Sequence, residues 1–275
     1  MNEYVSTLKK IIQNDMDSIQ SIDIPALLQF MLHNIGHTDP ELRDNLIYSG
    51  FCRLILDDYL TTVQLIFLYK SAVSDDYLYY QIHEPNDSDA VFKRSFSALL
   101  IQLLLYKDKE HHFLAHDLLR ETLPICVEYL KFETDYRGFV EEKGWAHAVA
   151  HGSDMLAQAV AHPMYRQVSS STNCLQALKS CIWTEYAYID EEDERMLAVL
   201  DELLMKDLTS DALINWLEEL QSYKHPEHLI KYRVHRNIKK FITSLYIHLL
   251  KKQSDDRLCN EIFLTFIAAK DDTQA

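Results

Sequence analysis

The chain has 275 residues, of which 48% are hydrophobic, and its formal net charge at pH 7 is −15. This length accommodates one large domain or two small ones, and the hydrophobic content is ordinary for a protein that buries a core. The acidic balance disfavours binding to nucleic acids and to anionic membranes, so we expect neither as a partner. No apolar run approaches the roughly 18 residues that a membrane-spanning helix requires.

Glycine and proline are scarce, with 5 and 6 residues respectively. Sheet proteins need many tight turns, and those turns draw heavily on both residue types. The scarcity therefore predicts an all-α fold. The five cysteines are few, odd in number and scattered, and the N-terminus lacks the apolar core of a signal peptide. Both features are typical of a cytoplasmic protein rather than a disulfide-stabilised secreted one.

Hydrophobic periodicity near 3.6 residues predicts amphipathic helices along the whole chain. In chain order, the predicted helices cover residues 3–14, 24–35, 40–50, 52–73, 76–82, 88–107, 112–131, 136–161, 172–186, 190–206, 210–222, 227–251 and 256–270. Several begin at residues typical of N-caps, namely Asp39, Asp87 or Ser88, and Thr209 or Ser210.

The connections between these helices are short, which makes successive helices antiparallel neighbours. The hairpins recur at a spacing typical of HEAT or armadillo units, although no sequence motif repeats with them. We therefore expect a single all-α domain over residues 1–275. Its architecture is predicted to be an array of antiparallel helical hairpins, either a HEAT- or armadillo-like solenoid or a compact helical array.

Residues 135–163 concentrate polar chemistry on one predicted helix, and three of the five glycines lie there. Glycine inside a helix costs about 0.5–1 kcal/mol relative to alanine, so these glycines predict close approach of the backbone to a neighbouring helix or to a ligand. On a helix over 136–161, His147, His151 and Asp154 share one stripe, which borders an apolar stripe containing Trp145. The polar stripe is therefore expected to face the wall of a pocket.

His147 and His151 are spaced i and i+4, so both imidazoles could bind one divalent ion such as zinc from a single helix face. Asp154, one turn further on, is a candidate third ligand or a group that orients an imidazole. Two other interpretations stay open: histidines that hydrogen bond between helices, and a metal-free pocket for a small molecule. Ala148 stands where a zincin metalloprotease has glutamate, which argues against that chemistry.

Candidate neighbours of this stripe come from other predicted helices. Arg94 opens the apolar face of the helix over 88–107, and Tyr246 lies on the helix over 227–251. The acidic run 190–195 begins a helix, where acidic residues complement the helix dipole, so capping is its expected role. Glu194 and Arg195 are the members of that run that could instead face the histidines. The chain has no GxSxG, GxxxxGK[ST] or GxGxxG motif.

The run Asp135-x-Arg137-Gly138, followed by Lys143-Gly144-Trp145-Ala146-His147-x-x-x-His151-x-x-Asp154, resembles the signature of a bacterial family, domain-of-unknown-function family 2785. Weaker matches are Phe92-Lys93-Arg94-Ser95-Phe96, Glu194-Arg195, and the segment from Asn237 through Phe241 to Ser244-Leu245-Tyr246. The resemblance covers about residues 90–250. It implies an all-helical protein and brings no activity, cofactor or partner with it.

Three functional hypotheses follow from these observations. The first is a cytosolic, helical-repeat-like protein that binds a small polar molecule or a peptide in a pocket formed by Trp145, His147, His151, Asp154, Arg94, Glu194, Arg195 and Tyr246. The second is a metal-dependent hydrolase in which His147, His151 and Asp154 hold the ion and activate a bound water. The third is a scaffold whose helical surface binds protein partners.

Overall fold

The computed structural model of the chain describes residues 2–13, 22–84, 88–253 and 256–268. Over these ranges the fold is all-α, which confirms the predicted fold class. The helices are α1 (Asn2–Ile12), α2 (Ile24–His33), the π-helix π1 (Glu41–Tyr48), α3 (Ser49–Leu56), α4 (Thr62–Ala72), α5 (Ala90–His111), α6 (His116–Phe132), α7 (Ala148–Ala161), α8 (Tyr165–Val168), α9 (Ser171–Ile182), α10 (Glu192–Leu204), α11 (Ser210–Gln221), α12 (His228–Lys251), α13 (Asp256–Ile262) and the π-helical turn π2 (Phe263–Ile267). Two short strands, β1 (Phe139–Val140) and β2 (Gly144–Trp145), pair between α6 and α7. None of the helices within these ranges combines the length and apolar character needed to cross a bilayer.

Side chains at the helix starts act largely as the sequence predicts. Thr209 accepts a hydrogen bond from a first-turn N–H of α11 at 3.2 Å. Asp39 accepts one from the first N–H of π1 at 2.9 Å, and Ser88 accepts one from the first N–H of α5 at 3.3 Å. Asp87, the alternative cap of α5, lies outside the described residues. These bonds satisfy backbone donors that have no partner within their own helix.

Two predicted helix boundaries are wrong in the first third of the chain. The predicted helix over 52–73 is two helices, because α3 ends at Leu56 and a new start signal follows. Thr61 and Gln64 form a reciprocal capping box there, which begins α4. The predicted helix over 76–82 consists of turns.

Helix α7 is central to the packing of the fold. It packs against α5, α6 and α10, while α10 also packs against α12 and α6 packs against α9. Gly152 allows the α6 contact, because a Cβ at that position would lie 2.7 Å from the side chains of Leu130 and Tyr129. One continuous cluster of buried apolar residues extends from Leu8 to Ile262. The HEAT- or armadillo-like solenoid stays a prediction.

The predicted helix over 136–161 is wrong in its first half. Residues 139–145 form the antiparallel hairpin, in which Phe139 pairs with Trp145 and Val140 pairs with Gly144. Gly144 has φ +76°, a conformation that favours glycine and that an α-helix does not contain. Helix α7 then begins at Ala148. The hairpin therefore carries Trp145 into the site from a strand rather than from a helix face.

Candidate functional site

A cavity of about 530 Å³ opens where the β1–β2 hairpin and the N-terminal ends of α7 and α10 meet π1 and α5. We call it the hairpin pocket, and its lining residues are Asp44, Tyr48, Phe96, Leu99, Trp145, His147, His151, Ile189, Asp190, Glu191 and Arg195. Small-molecule sites commonly have volumes of about 300–1,000 Å³ and combine aromatic walls with a few polar groups. The hairpin pocket has both properties.

The hairpin positions two aromatic rings at the mouth of the pocket. Backbone bonds from Ala146 N–H to the Gly138 carbonyl at 2.9 Å and from His147 N–H to the Arg137 carbonyl at 3.1 Å extend the pairing beyond β2. The rings of Trp145 and His147 stack with centroids 4.3 Å apart. Phe139 also packs against the indole, in an edge-to-face arrangement, and Trp145 remains 40% exposed, so part of the ring is accessible.

The two helices whose N-terminal ends lie at the pocket, α7 and α10, are each preceded by a residue in the left-handed region. His147 precedes α7 with φ +48°, and Glu191 precedes α10 with φ +68°. This conformation costs residues other than glycine roughly 1–3 kcal/mol and persists where the surrounding structure holds it. The packing around the hairpin therefore maintains both residues at the pocket edge.

His151 is a buried imidazole whose orientation is fixed from behind. Ser95 Oγ lies 2.7 Å from His151 Nδ1, and the Ser95 hydroxyl donates its proton to the Ala146 carbonyl. Ser95 must then accept from Nδ1–H, which leaves a lone pair on Nε2. Burial lowers the pKa of His151 well below its usual range, and neighbouring His147 adds to that effect. The ring is therefore neutral at pH 7 and acts as a hydrogen-bond acceptor.

His147 lies beside two carboxylates contributed by the start of α10. One ligand atom each from His147, Asp190 and Glu192 lies within 4.8 Å of the others. His147 Nε2 and Glu192 Oε1 are both buried without a hydrogen-bond partner. Burial lowers the pKa of His147, partly offset by Asp190, and burial raises the pKa of Glu192. Buried polar atoms are almost always paired, so two orphaned atoms in one cluster are unusual.

Asp190 reaches this position because the neighbouring hairpin residue has no side chain. A Cβ at Gly138 would overlap the Asp190 carboxylate. Asp190 Oδ2 accepts a hydrogen bond from Phe139 N–H at 3.0 Å. The glycine therefore allows the carboxylate to lie against the backbone of the hairpin, which fixes it beside His147.

Charges around the pocket are only partly balanced. Arg43 and Asp44 form an ion pair of 2.7 Å. Arg195 forms a bidentate ion pair with Asp154, in which Nε donates to Oδ1 and Nη2 donates to Oδ2. Among the described residues, no Lys, Arg or His forms an ion pair with the side chain of Asp190 or Glu191, both of which line the cavity. The hairpin pocket therefore carries excess negative charge and is rich in hydrogen-bond acceptors.

A protein-family match covers the part of the chain that forms most of the hairpin pocket. A family model described as a protein of unknown function, DUF2785, matches residues 78–247, more than half of the chain. The chain belongs to the DUF2785 family. No curated protein and no solved structure matches it. The region that matches DUF2785 contains the hairpin, α7 and the start of α10, whereas Asp44 and Tyr48 precede it.

The DUF2785 protein brings some of the residues predicted for the site into the pocket lining and places the others elsewhere. Those that line it are Trp145, His147, His151 and Arg195. Asp154 lies behind Arg195 as its ion-pair partner. Arg94 instead donates to buried Glu133 at 2.8 and 2.9 Å. Two further residues do not line the cavity, because Glu194 is exposed and Tyr246 packs against a ring of π2.

The predicted metal ligands are also arranged differently in this DUF2785 protein. His147 groups with Asp190 and Glu192, whereas the Asp154 carboxylate is occupied by Arg195. Sequence reasoning assigned the acidic run 190–195 to helix capping and so passed over Asp190 and Glu192. Their spacing at the start of a helix was the available signal. No local sequence pattern indicates that Asp44 and Tyr48 line the pocket, because π1 contacts the hairpin between residues about 100 positions apart in sequence.

Proposed function

We propose that this DUF2785 protein binds a small organic molecule rich in hydrogen-bond donors in the hairpin pocket. One observation carries the proposal: a cavity of about 530 Å³ whose polar lining consists mainly of acceptors. Neutral His151 offers a lone pair, and Asp190 and Glu191 add negative charge. The volume suits a compact molecule rather than a folded peptide segment.

The aromatic wall indicates which shape of ligand the pocket favours. Trp145 lines the pocket beside the acidic groups and keeps part of its indole exposed. Flat cations stack on such rings and gain about 0.5–2 kcal/mol from the interaction. Amidines, guanidines and amino-substituted heteroaromatic molecules combine a flat group with donors and positive charge, so they form the proposed ligand class.

Three probes that share one ring test this class. Benzamidine is a flat cation, benzamide is neutral and benzoate is an anion. We expect benzamidine to raise the melting temperature and to change tryptophan fluorescence saturably, benzamide to act more weakly, and benzoate to have no effect. Calorimetric titration would give the affinities.

Two tryptophan variants provide the matched control. Trp145→Ala removes the ring at the pocket, whereas Trp183→Phe alters a ring that packs edge-to-face against Tyr223 and donates a hydrogen bond to the end of α11. Binding of benzamidine should be weakened by the first substitution and retained with the second. Equal affinity for benzoate and benzamidine, or benzamidine binding that survives Trp145→Ala unchanged, would contradict the proposal.

The other sequence-based hypotheses have less support. The hydrolase with His147, His151 and Asp154 as ligands needs a carboxylate that Arg195 already holds. The scaffold hypothesis stays a prediction. We also propose a cytoplasmic location, supported by five free cysteines, of which four are buried. The net charge of −15 supports the exclusion of nucleic acids and anionic membranes as partners.

A further inference from the structure

Two buried side-chain atoms at the hairpin pocket have no hydrogen-bond partner among the residues that the structure describes. One belongs to His147, which lines the pocket, and the other belongs to Glu192, which lies next to the lining. Glu192 is 1% exposed, yet its Oε1 has no hydrogen-bond partner. His147 is only partly buried, but its Nε2 atom is buried and has no hydrogen-bond partner. An unpaired buried polar group costs about 1–3 kcal/mol, and more when it is charged. Both atoms belong to groups that bind metal ions readily.

No basic side chain among the described residues occupies this position. Lys240, which lies near Glu192, forms an ion pair with Asp193 at 2.9 Å. Arg195 is held by Asp154. Glu192 Oε2 accepts the backbone N–H of Asp190 at 3.0 Å, and the backbone N–H of Glu192 itself also acts to lower the pKa of this carboxyl. Within the described residues the cluster therefore contains two carboxylates and one imidazole without a direct ion pair, and Lys240 acts on Glu192 only from a distance.

We propose that His147, Asp190 and Glu192 bind a divalent first-row transition metal ion, such as zinc or manganese, in the wall of the hairpin pocket. Two carboxylates balance the charge of the ion, and the imidazole supplies a nitrogen ligand that magnesium and calcium rarely use. Ligand atoms arranged tetrahedrally around one ion lie about 3.3–3.6 Å apart when each bond is about 2.0–2.2 Å. The three ligand atoms here lie within 4.8 Å of one another, so ion binding would draw them together by up to about 1.2–1.5 Å.

This site goes beyond the proposed binding of an organic molecule. The two share His147 and Asp190, which line the cavity, but only the ion needs Glu192, which does not line it, and only the organic ligand needs Trp145. Each proposal can therefore fail without the other. The site also differs from the His147, His151 and Asp154 set that the sequence suggests.

Cobalt chloride alone is the probe, since Co²⁺ substitutes for zinc and its visible absorption reports its ligands. Protein is first treated with EDTA and dialysed, then titrated by calorimetry and absorption. We expect one Co²⁺ per chain and a melting temperature that rises with its concentration. Changes in the outer shell of metal sites weaken affinity about 10- to 100-fold, so loss of a direct ligand in Glu192→Gln should exceed 100-fold.

Glu191→Gln is the matched control, because it removes the same charge from the adjacent residue. It should change Co²⁺ affinity by less than about threefold, the scale of a nearby surface charge. His147→Asn serves as a second test, since asparagine tolerates the left-handed conformation at φ +48°. It should also abolish tight binding.

Stability without metal separates a ligand role from a structural one. Glu192→Gln removes a buried negative charge that forms no ion pair within the described residues, so the metal-free variant should melt at or above the temperature of the metal-free parent. Wild-type protein that binds no Co²⁺, or a Glu191→Gln variant that loses as much affinity as Glu192→Gln, would overturn the site. Benzamidine titration of Glu192→Gln then shows whether organic binding stands independently.

Discussion

Two polar clusters lie in the same helical packing and differ in how completely their atoms are paired. In the Arg94 cluster, formed by Arg94, Tyr129, Glu133 and Asp135, the Glu133 carboxylate accepts two bonds from Arg94 at 2.8 and 2.9 Å. It also accepts bonds from the Tyr129 hydroxyl at 2.9 Å and from the Asp135 N–H at 2.9 Å. Within the described residues, none of these four side chains has a buried N or O atom without a hydrogen-bond partner.

The hairpin pocket has the opposite character. Its buried His147 Nε2 and Glu192 Oε1 have no partners, and its carboxylates outnumber their cations. Both clusters contain buried charge, so burial alone does not separate a structural group from a functional one. The difference lies in satisfaction: a fully paired network fixes the packing of helices, whereas unpaired groups beside a cavity indicate a ligand.

The largest predicted effect comes from opening the Arg94 cluster. Arg94→Ala leaves the Glu133 carboxylate buried without its cation, so the free energy of unfolding should fall by about 3–5 kcal/mol. Arg195→Ala at the pocket breaks an ion pair whose Arg side chain is 45% exposed, and should cost about 1 kcal/mol or less. Urea denaturation of both variants measures the contrast. Equal losses would remove the distinction between the two clusters.

A smaller effect is expected at the interface that supports the Arg94 cluster. Gly152→Ala places a methyl group 2.7 Å from the Tyr129 ring, whose hydroxyl bonds to Glu133. Overpacking of this kind costs about 1–3 kcal/mol, and the gain in helix propensity offsets part of it. Thermal denaturation measures the loss, and benzamidine or Co²⁺ binding should persist. An increase in stability would show that α6 and α7 are not tightly apposed there.

The smallest effect concerns the reactivity of two thiols, Cys126 in the helical interior and Cys52 near the hairpin pocket. Burial raises the pKa of Cys126 to about 12, and it also raises the pKa of Cys52, although Cys52, one turn beyond pocket residue Tyr48, is only half-buried. Because Cys126 is inaccessible as well as almost fully protonated at pH 8, iodoacetamide should modify Cys52 at least about tenfold faster.

The rate for Cys126 should continue to rise with pH beyond the range in which an ordinary thiol, with a pKa of about 8.5, has levelled off. Peptide mass spectrometry measures both rates. In urea the two thiols should react alike, and a native Cys126 as fast as Cys52 would show that the interior is open to solvent.

Composition was sufficient to predict the all-α class, because so few glycines and prolines cannot supply the turns of a sheet protein. The prediction for residues 136–147 was wrong for a related reason. The apolar periodicity of α7 continues into the hairpin segment and so favours one helix over 136–161. Gly138 and Gly144 have low helix propensity, which favours a helix that begins after them. His147 and His151 still lie close together although the helix is shorter, because His147 directly precedes the helix that carries His151.

Other parts of the site depend on contacts that no local pattern encodes. Arg94 was a reasonable pocket candidate by its position on α5, yet its partner Glu133 lies 39 residues away. Asp190 meets Phe139 across 51 residues. Helix-start acids are usually explained by the helix dipole, so the sequence alone favoured capping over the cluster with His147.

The hairpin pocket draws its walls from π1, α5, the hairpin with α7, and the start of α10. Closing long chain loops is entropically slow, so the cavity is complete only after these distant segments have docked. A ligand could therefore bind in the cavity only late in folding, after these segments have come together. A ligand or ion bound there would tie the N-terminal π-helix to the centre of the chain and would protect the hairpin from local opening before it protected the core.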